Sequence, residues 1–366
     1  MNISDELNGS FSDNAESLPD NLPPVEPPTA GFIVQLFVVP ALIVMAVVGV
    51  WLLFGQMASS DQDLSQVIVD LKSDNVHRQW RAAFSLAQIL EADAQRGDQG
   101  QHLAQSVPLA TDLSKLLQSQ LKITTPTPED LQKQSYLIRS LGWFDLPEVV
   151  FPALAEAIRG EVTAPEGTPE RELQAELKQS ALTSIAQIAG RAQEQNQPLS
   201  NAAIVEGIGE MAGDPDPRLR RMAAFTLSLF SGTAAIDRLE AMLIDADEMT
   251  RLNAAVGLTR NGSAAGFNVL KKYLQASASQ RLMTETESSA SSASLTEQEQ
   301  NEQKIAEFEQ GVALKNVVKA MGSLSSQLSE PERNEMIGLI EPIAENHRLP
   351  EIRQTAMESL EQLRAG

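Results

Sequence analysis

Three histidines, His77, His102 and His347, are the chain's natural proton shuttles at neutral pH. None has a second histidine within helical reach, and no His-Glu dipeptide occurs. Cysteine is absent, which removes thiolate nucleophiles, disulfides and Cys-based metal sites. The acidic runs "PERE" and "EQEQNEQ" have the composition of solvated helix faces, not of a converging carboxylate pair. No Gly-rich phosphate loop and no G-x-S-x-G nucleophile turn is present. The sequence therefore predicts no catalytic residue, no cofactor and no metal: a binding protein and not an enzyme.

Two constellations could act in recognition. In "DPDPRLRRMAAFTL", Asp214 to Leu227, the bases Arg218, Arg220 and Arg221 crowd the first turn of a predicted helix. The helix dipole disfavours cations there. Either Asp214 and Asp216 neutralise them, or Arg218 and Arg221 form a basic patch for an acidic partner segment. In "LGWFDLPE", Trp143 and Phe144 are either core residues or an exposed aromatic anchor of the kind that dominates interfaces. The formal charge of −21 argues against nucleic acid and against adhesion to anionic lipid.

The elements that must position these residues are helices. Aromatics make up only 4% of the chain, and Ala, Leu, Gln, Glu and Ser dominate, an all-α composition. Residues 214–244 and 245–275 align without gaps, with nine of 31 positions identical. The pairs are Asp214/Asp245, Asp216/Asp247, Arg220/Arg251, Ala223/Ala254, Ala224/Ala255, Leu227/Leu258, Ala234/Ala265, Leu239/Leu270 and Leu243/Leu274. Their spacings of three and four trace one helix face. Asp216 and Asp247 stand where N-caps belong, with Pro217 or Glu248 opening the helix. The alanine pairs Ala223–Ala224 and Ala254–Ala255 should each give a close-packed seam where neighbouring helices meet, with Leu227 or Leu258 filling the gap between them. The first helix should run to about Phe230, or Arg260 in the second copy, and Gly232 and Gly262 should turn the chain into a second helix. Worn copies follow "RAAFSLAQIL" from Arg81, "KQSALTSIAQIAG" from Lys178 and "PEIRQTAMESL" from Pro350. Pro128 to Ile158 reads as two more helices, and Thr127–Pro128 and Thr168–Pro169 as helix starts.

The Asp-x-Asp turn, the Arg four residues after its second Asp, and Ala-Ala-x-x-Leu resemble HEAT-like repeats of the type named after phycobilisome lyases. That resemblance implies an α-solenoid of roughly six helix pairs over residues 60–366. It also implies that Asp214, Asp216, Arg220, Asp245, Asp247 and Arg251 stitch neighbouring units together. It carries no activity. The deoxyhypusine hydroxylases, a HEAT-like enzyme family, bind iron through His-Glu pairs, which this chain lacks. Residues 276–303, with seven serines and no aromatic, read as a flexible insertion, with room for a short helical start as far as Met283.

The N-terminal part differs. Residues 1–30 carry six acids, no base and five prolines, and read as a disordered tail. Residues 31–55 read as a transmembrane helix. From Phe32 to Phe54 sixteen of 23 side chains are Leu, Ile, Val or Phe, and a helix of this length spans about 35 Å against a bilayer core of about 30 Å. Pro40 is tolerated in a membrane helix, and Trp51 sits near one end as an interfacial anchor. The first bases, Lys72, Arg78 and Arg81, follow the run, which places the solenoid on the cytoplasmic side. The sequence thus predicts a single-pass membrane protein displaying a HEAT-repeat scaffold or adaptor for a protein partner. A bilin-lyase-like handler of a chromophore and a structural spacer in a membrane complex are the alternatives.

Overall fold

The computed structural model describes residues 44–45, 47–49, 64–71, 73, 75–162, 164–287 and 297–366. The chain divides into two units, 1–62 and 63–366. In the first, Val44, Met45, Val47, Val48 and Gly49 are helical. The side chains of Val44, Met45, Val47 and Val48 are 47–63% exposed. The tail 1–30 and the anchor residues Phe32, Pro40, Trp51 and Phe54 lie outside the described residues. Among the described residues no helix is long and apolar enough to cross a membrane.

The second unit is all-helical. Helix α1 (Leu64–Leu71) packs on the first of two rows of helices. One row, A, is α2 (Val76–Arg96), α4 (Pro128–Leu141), α6 (Pro169–Glu194), α8 (Pro217–Leu227), α10 (Glu248–Arg260), α12 (Glu297–Ser323) and α14 (Pro350–Ala365). Each member of row A contacts the next. The other row, B, is α3 (Val107–Leu121), α5 (Pro147–Arg159), α7 (Ala202–Glu210), α9 (Thr233–Met242), α11 (Phe267–Glu287) and α13 (Glu330–Asn346). Among the described residues these make six A–B pairs and a final A helix.

Local chemistry sets the helix starts. Proline opens α4, α5, α6, α8 and α14, where its missing N–H costs nothing. Asn75, Thr127, Thr168, Asn201, Asp216 and Asp247 cap helices through their side chains. Gly232 and Gly262 turn with φ of 100° and 75°, a conformation L side chains resist. Helix α8 ends at Leu227, short of the predicted Phe230. There the chain leaves the helix so that Phe230 can form a parallel bridge with Leu199 of the preceding unit.

The predicted insertion is mostly helix. Residues 276–287 extend α11 and 297–303 open α12. Ala, Gln, Glu, Leu and Met there are good helix formers, and the serine count concealed them. Residues 288–296 lie outside the described residues.

One register runs through row A. The positions equivalent to Leu227 are Leu86, Leu141, Ile185, Leu258, Met321 and Leu360, all 0–5% exposed. Those equivalent to Ala223 are Ala82, Leu137, Ala181, Ala254, Val317 and Ala356, all 0–4% exposed. The core forms two clusters, one from Leu71 to Leu258 and one from Leu252 to Leu363, which meet on α10.

All four alanines of the two pairs are buried, and the second pair is shared between the two core clusters. Ala223 and Ala224 are both fully buried in the N-terminal cluster. In α10 the pair is divided: Ala254 belongs to the N-terminal cluster and Ala255, equally buried, to the C-terminal one. Ala255 instead makes room inside its own unit, just before α11. A Cβ on Gly266 would lie only 2.6 Å from Ala255 Cα. The physical reason is that adjacent helical residues point about 100° apart, so one pair can serve two interfaces.

Candidate functional site

The turn before each strong A helix is built from its own charges. The Asp214 carboxylate accepts from Asp216 N at 2.9 Å, and Asp245 from Asp247 N at 2.7 Å. The second aspartate of each turn then caps the helix. Four residues on, the arginine reaches back. Arg220 Nη1 donates to the carbonyls of Asp214 and Pro215, and Arg251 Nη1 to those of Asp245 and Ala246, all at 2.7–3.1 Å. Other units keep this habit with other side chains. Gln79 donates to Leu71 O, Gln134 to Gln120 O, and Arg353 to His347 O and Arg348 O. The position anchors the helix start to the turn before it, and glutamine suffices for that. Spacing alone carries this signal, and a search for arginine passes over it.

The same position also reaches forward. Arg220 pairs with Asp245 of the next unit at 2.9 Å, with side chains only 16% and 10% exposed. Lys178, its equivalent in α6, pairs with Asp214 at 3.8 Å. The hydrogen bonds that Arg220 donates to Asp245 hold its guanidinium above its ordinary value. Asp214 and Asp245 therefore each order their own turn and receive the cation of the unit before.

Arg218 and Arg221 fall outside this shared pattern, and both are engaged. Arg218 pairs with its own cap, Asp216, at 2.9 Å and reaches Glu172 on α6 at 2.8 Å. Arg221 donates through Nε to Asp247, the cap of α10, at 2.7 Å. The hydrogen bond from Arg221, with the Thr250 donors, holds the Asp247 carboxyl well below the usual carboxylate range. Burial pushes Asp216 up, but Arg218 outweighs it and leaves Asp216 lowered. The three arginines thus link α6, α8 and α10 along one edge.

Phe144 is 0% exposed and sits in the core, so the aromatic-anchor reading does not apply to it. It is held by Arg191, which donates to Gly142 O and Phe144 O and pairs with Asp145 at 2.7 Å. Trp143 is half-buried against the same core. His77 and His102 are exposed on separate elements. The Nδ1 of His347 accepts from Leu349 N within its own turn. Among the described residues no three His, Asp or Glu side chains are grouped to hold a metal ion.

A seam of small residues runs between the A helices further along them. A Cβ on Gly142 would sit 3.0 Å from Ser184 Oγ, one on Gly257 2.6 Å from Ser228 Cβ, and one on Gly322 2.9 Å from Ser359 Cα. Each pair joins consecutive A helices or their ends at equivalent positions of the register. The sequence reading missed this seam, because it joins residue types that differ between copies.

The class that this arrangement defines is a stack of helix pairs, each unit bound to its neighbours. The family model described as HEAT repeats matches residues 205–290, and over that stretch the chain is similar to HEAT repeats. Among curated protein sequences none matches it. Solved structures that it resembles include the Escherichia coli protein YibA, at 15% identity and a TM-score of 0.40, covering 84% of each chain. Another is the complex of CpcE and CpcF of phycocyanin lyase from a Nostoc species, at 11% identity and a TM-score of 0.39, covering 83% of this chain and 96% of that one. Human deoxyhypusine hydroxylase in complex with glycerol aligns at 14% identity and a TM-score of 0.28, over 85% and 99%. Likenesses this distant assign no activity or ligand to this chain.

Proposed function

We propose that the chain is a scaffold that binds other proteins through its HEAT-like stack and is tethered to a membrane by residues 32–54. The observation that carries the reading is a division of labour in row A. The recurring face of the register is spent inside the stack, whereas Phe84, Phe225 and Met357 stand 39–50% exposed beside it. Large exposed apolar side chains on a rigid helical array are the raw material of an interface. The tether is supported by the 23-residue apolar run and by the exposed Val44, Met45, Val47 and Val48 within it. The bases that follow the run favour a cytoplasmic stack.

The test places a photo-crosslinking residue at Phe225, Met357 or the buried Leu227 of the full chain in cells of its source. Discrete crosslinked proteins from the two exposed positions and none from Leu227 are expected. No product from any exposed position would contradict the scaffold reading. A topology reporter after Gly366 tests the side of the membrane.

A further inference from the structure

Helix α12 is the longest of the described helices at 27 residues, and its two halves differ. Its C-terminal half carries the buried Leu314, Val317, Val318 and Met321. Between residues 300 and 312 no described side chain is buried. Yet Ile305, Phe308 and Val312 stand there, 58%, 71% and 44% exposed. Their spacings of three and four make one stripe. At 100° per residue it lies on the side of α12 opposite the buried Leu314, Val317 and Met321. The overhang is held in place: Glu307 pairs with Arg348 at 2.8 Å, and Gly311 faces Leu349 and Ile352. Among the described residues this half of the helix thus presents an apolar ridge that no other element covers.

Charge and size select the occupant. The sequence from 297 to 312 has five glutamates and one lysine. Glu309 is exposed and makes no ion pair among the described residues, and it lies near enough to Arg221 to raise that guanidinium. Three side chains are far too few for the roughly 800 Å² per partner of a standard subunit interface, which argues against a second copy of the chain. They suit helix-on-helix recognition, in which two or three anchors suffice. We propose that the N-terminal half of α12 docks a basic amphipathic helix of a partner protein. Its apolar face would cover Ile305, Phe308 and Val312, and its lysines or arginines would meet Glu309 in this acid-rich stretch. This rests on the scaffold reading and names the chemistry of one partner.

The probe is a fluorescent synthetic helix of leucine and lysine in amphipathic spacing, titrated by anisotropy onto the full chain in nanodiscs of zwitterionic lipid. Empty nanodiscs and a leucine–glutamate helix are the controls. The expected result is saturable binding of the basic helix only, weakened by salt, and weakened about tenfold or more by Phe308→Ala. Phe308 is exposed, so this variant should melt with the wild type. Absence of binding, or binding that Phe308→Ala leaves unchanged, overturns the proposal. So does a Phe308-dependent dimer that does not bind the peptide. Crosslinks at Phe225 and Met357 would survive that failure, which separates it from failure of the scaffold reading.

Discussion

The junction between α8 and α10 and the junction between α10 and α12 use the same positions in opposite ways. At the first, Arg220 reaches Asp245 and Arg221 reaches Asp247, while Arg218 pairs with its own cap, Asp216, and turns back to Glu172 on α6. At the second, the equivalents of Arg218 and Arg221 are Met249 and Leu252, and both join the C-terminal apolar cluster. Among the described residues Arg251 makes only its backward bonds to the turn. No Asp-x-Asp turn stands before α12 to receive it; the stretch ending at Glu297 stands there instead. The difference separates two tasks that the arginine position combines elsewhere. Anchoring a helix start backward is local and is made by Gln79, Gln134, Arg220, Arg251 and Arg353, whereas in α12 the equivalent position is the buried Leu314, which has no donor. Linking to the next unit requires that unit's first aspartate.

Substitutions can break this comparison, and the largest effect is expected in the shared core. Leu227→Ala removes a fully buried side chain from the α8 register and should cost about 2–5 kcal/mol, read as a lowered denaturation midpoint. An unchanged melt would mean the register is misplaced. Asp245→Ala comes next. It leaves the largely buried Arg220 without its carboxylate and frees the Asp247 N–H, for about 3 kcal/mol. Arg251→Ala should cost only about 1 kcal/mol in the same assay, because it loses bonds to carbonyls and no ion pair. If Arg251→Ala costs as much as Asp245→Ala, the two junctions do not differ as described.

The mildest effect is one of pH. Asp247 has a folded pKa below its unfolded value near 3.8, so the unfolded chain binds more protons. Its contribution is fully present above the unfolded value and is lost as the pH falls below it. Between about pH 5 and pH 2.5 the wild type should lose stability more steeply than Arg221→Gln, which lacks the hydrogen bond that depresses this carboxyl. Parallel acid limbs would contradict the assignment.

The repeat is legible in the sequence where two copies lie side by side. Asp214, Asp216, Arg220 and the Ala-Ala-x-x-Leu recur at a fixed distance, and their identities alone place the caps and the core face. Identity does not say which neighbour each residue meets. Ala224 and Ala255 match in the alignment, yet Ala255 lies in the C-terminal cluster and Ala224 in the N-terminal one. The turn-anchoring role of Gln79 and Gln134 is not legible, because a glutamine does the work of an arginine without resembling it. The Gly–Ser seam is hidden for a related reason. Gly257 meets Ser228 across units, and within a unit the two positions read Thr226 and Ser228 in one copy, Gly257 and Thr259 in the next. Only small size recurs, and size is shared by many residue types. Arg221 has no explanation within its own repeat because its partner, Asp247, belongs to the next unit, and Arg218, besides pairing with its own cap Asp216, reaches Glu172 of the unit before. Phe144 cannot be told from a surface aromatic until Arg191 and the surrounding turn are in place.

The central claim is that the arginine position binds one unit to the next through the following unit's aspartate. A double-mutant cycle of Arg220→Gln and Asp245→Asn, read by chemical denaturation, tests it most directly. Glutamine keeps a donor for the turn carbonyls, as Gln79 and Gln134 do, so the cycle isolates the link across units. The account predicts a favourable coupling of about 2 kcal/mol between Arg220 and Asp245. Additive costs, within about 0.5 kcal/mol, would contradict it.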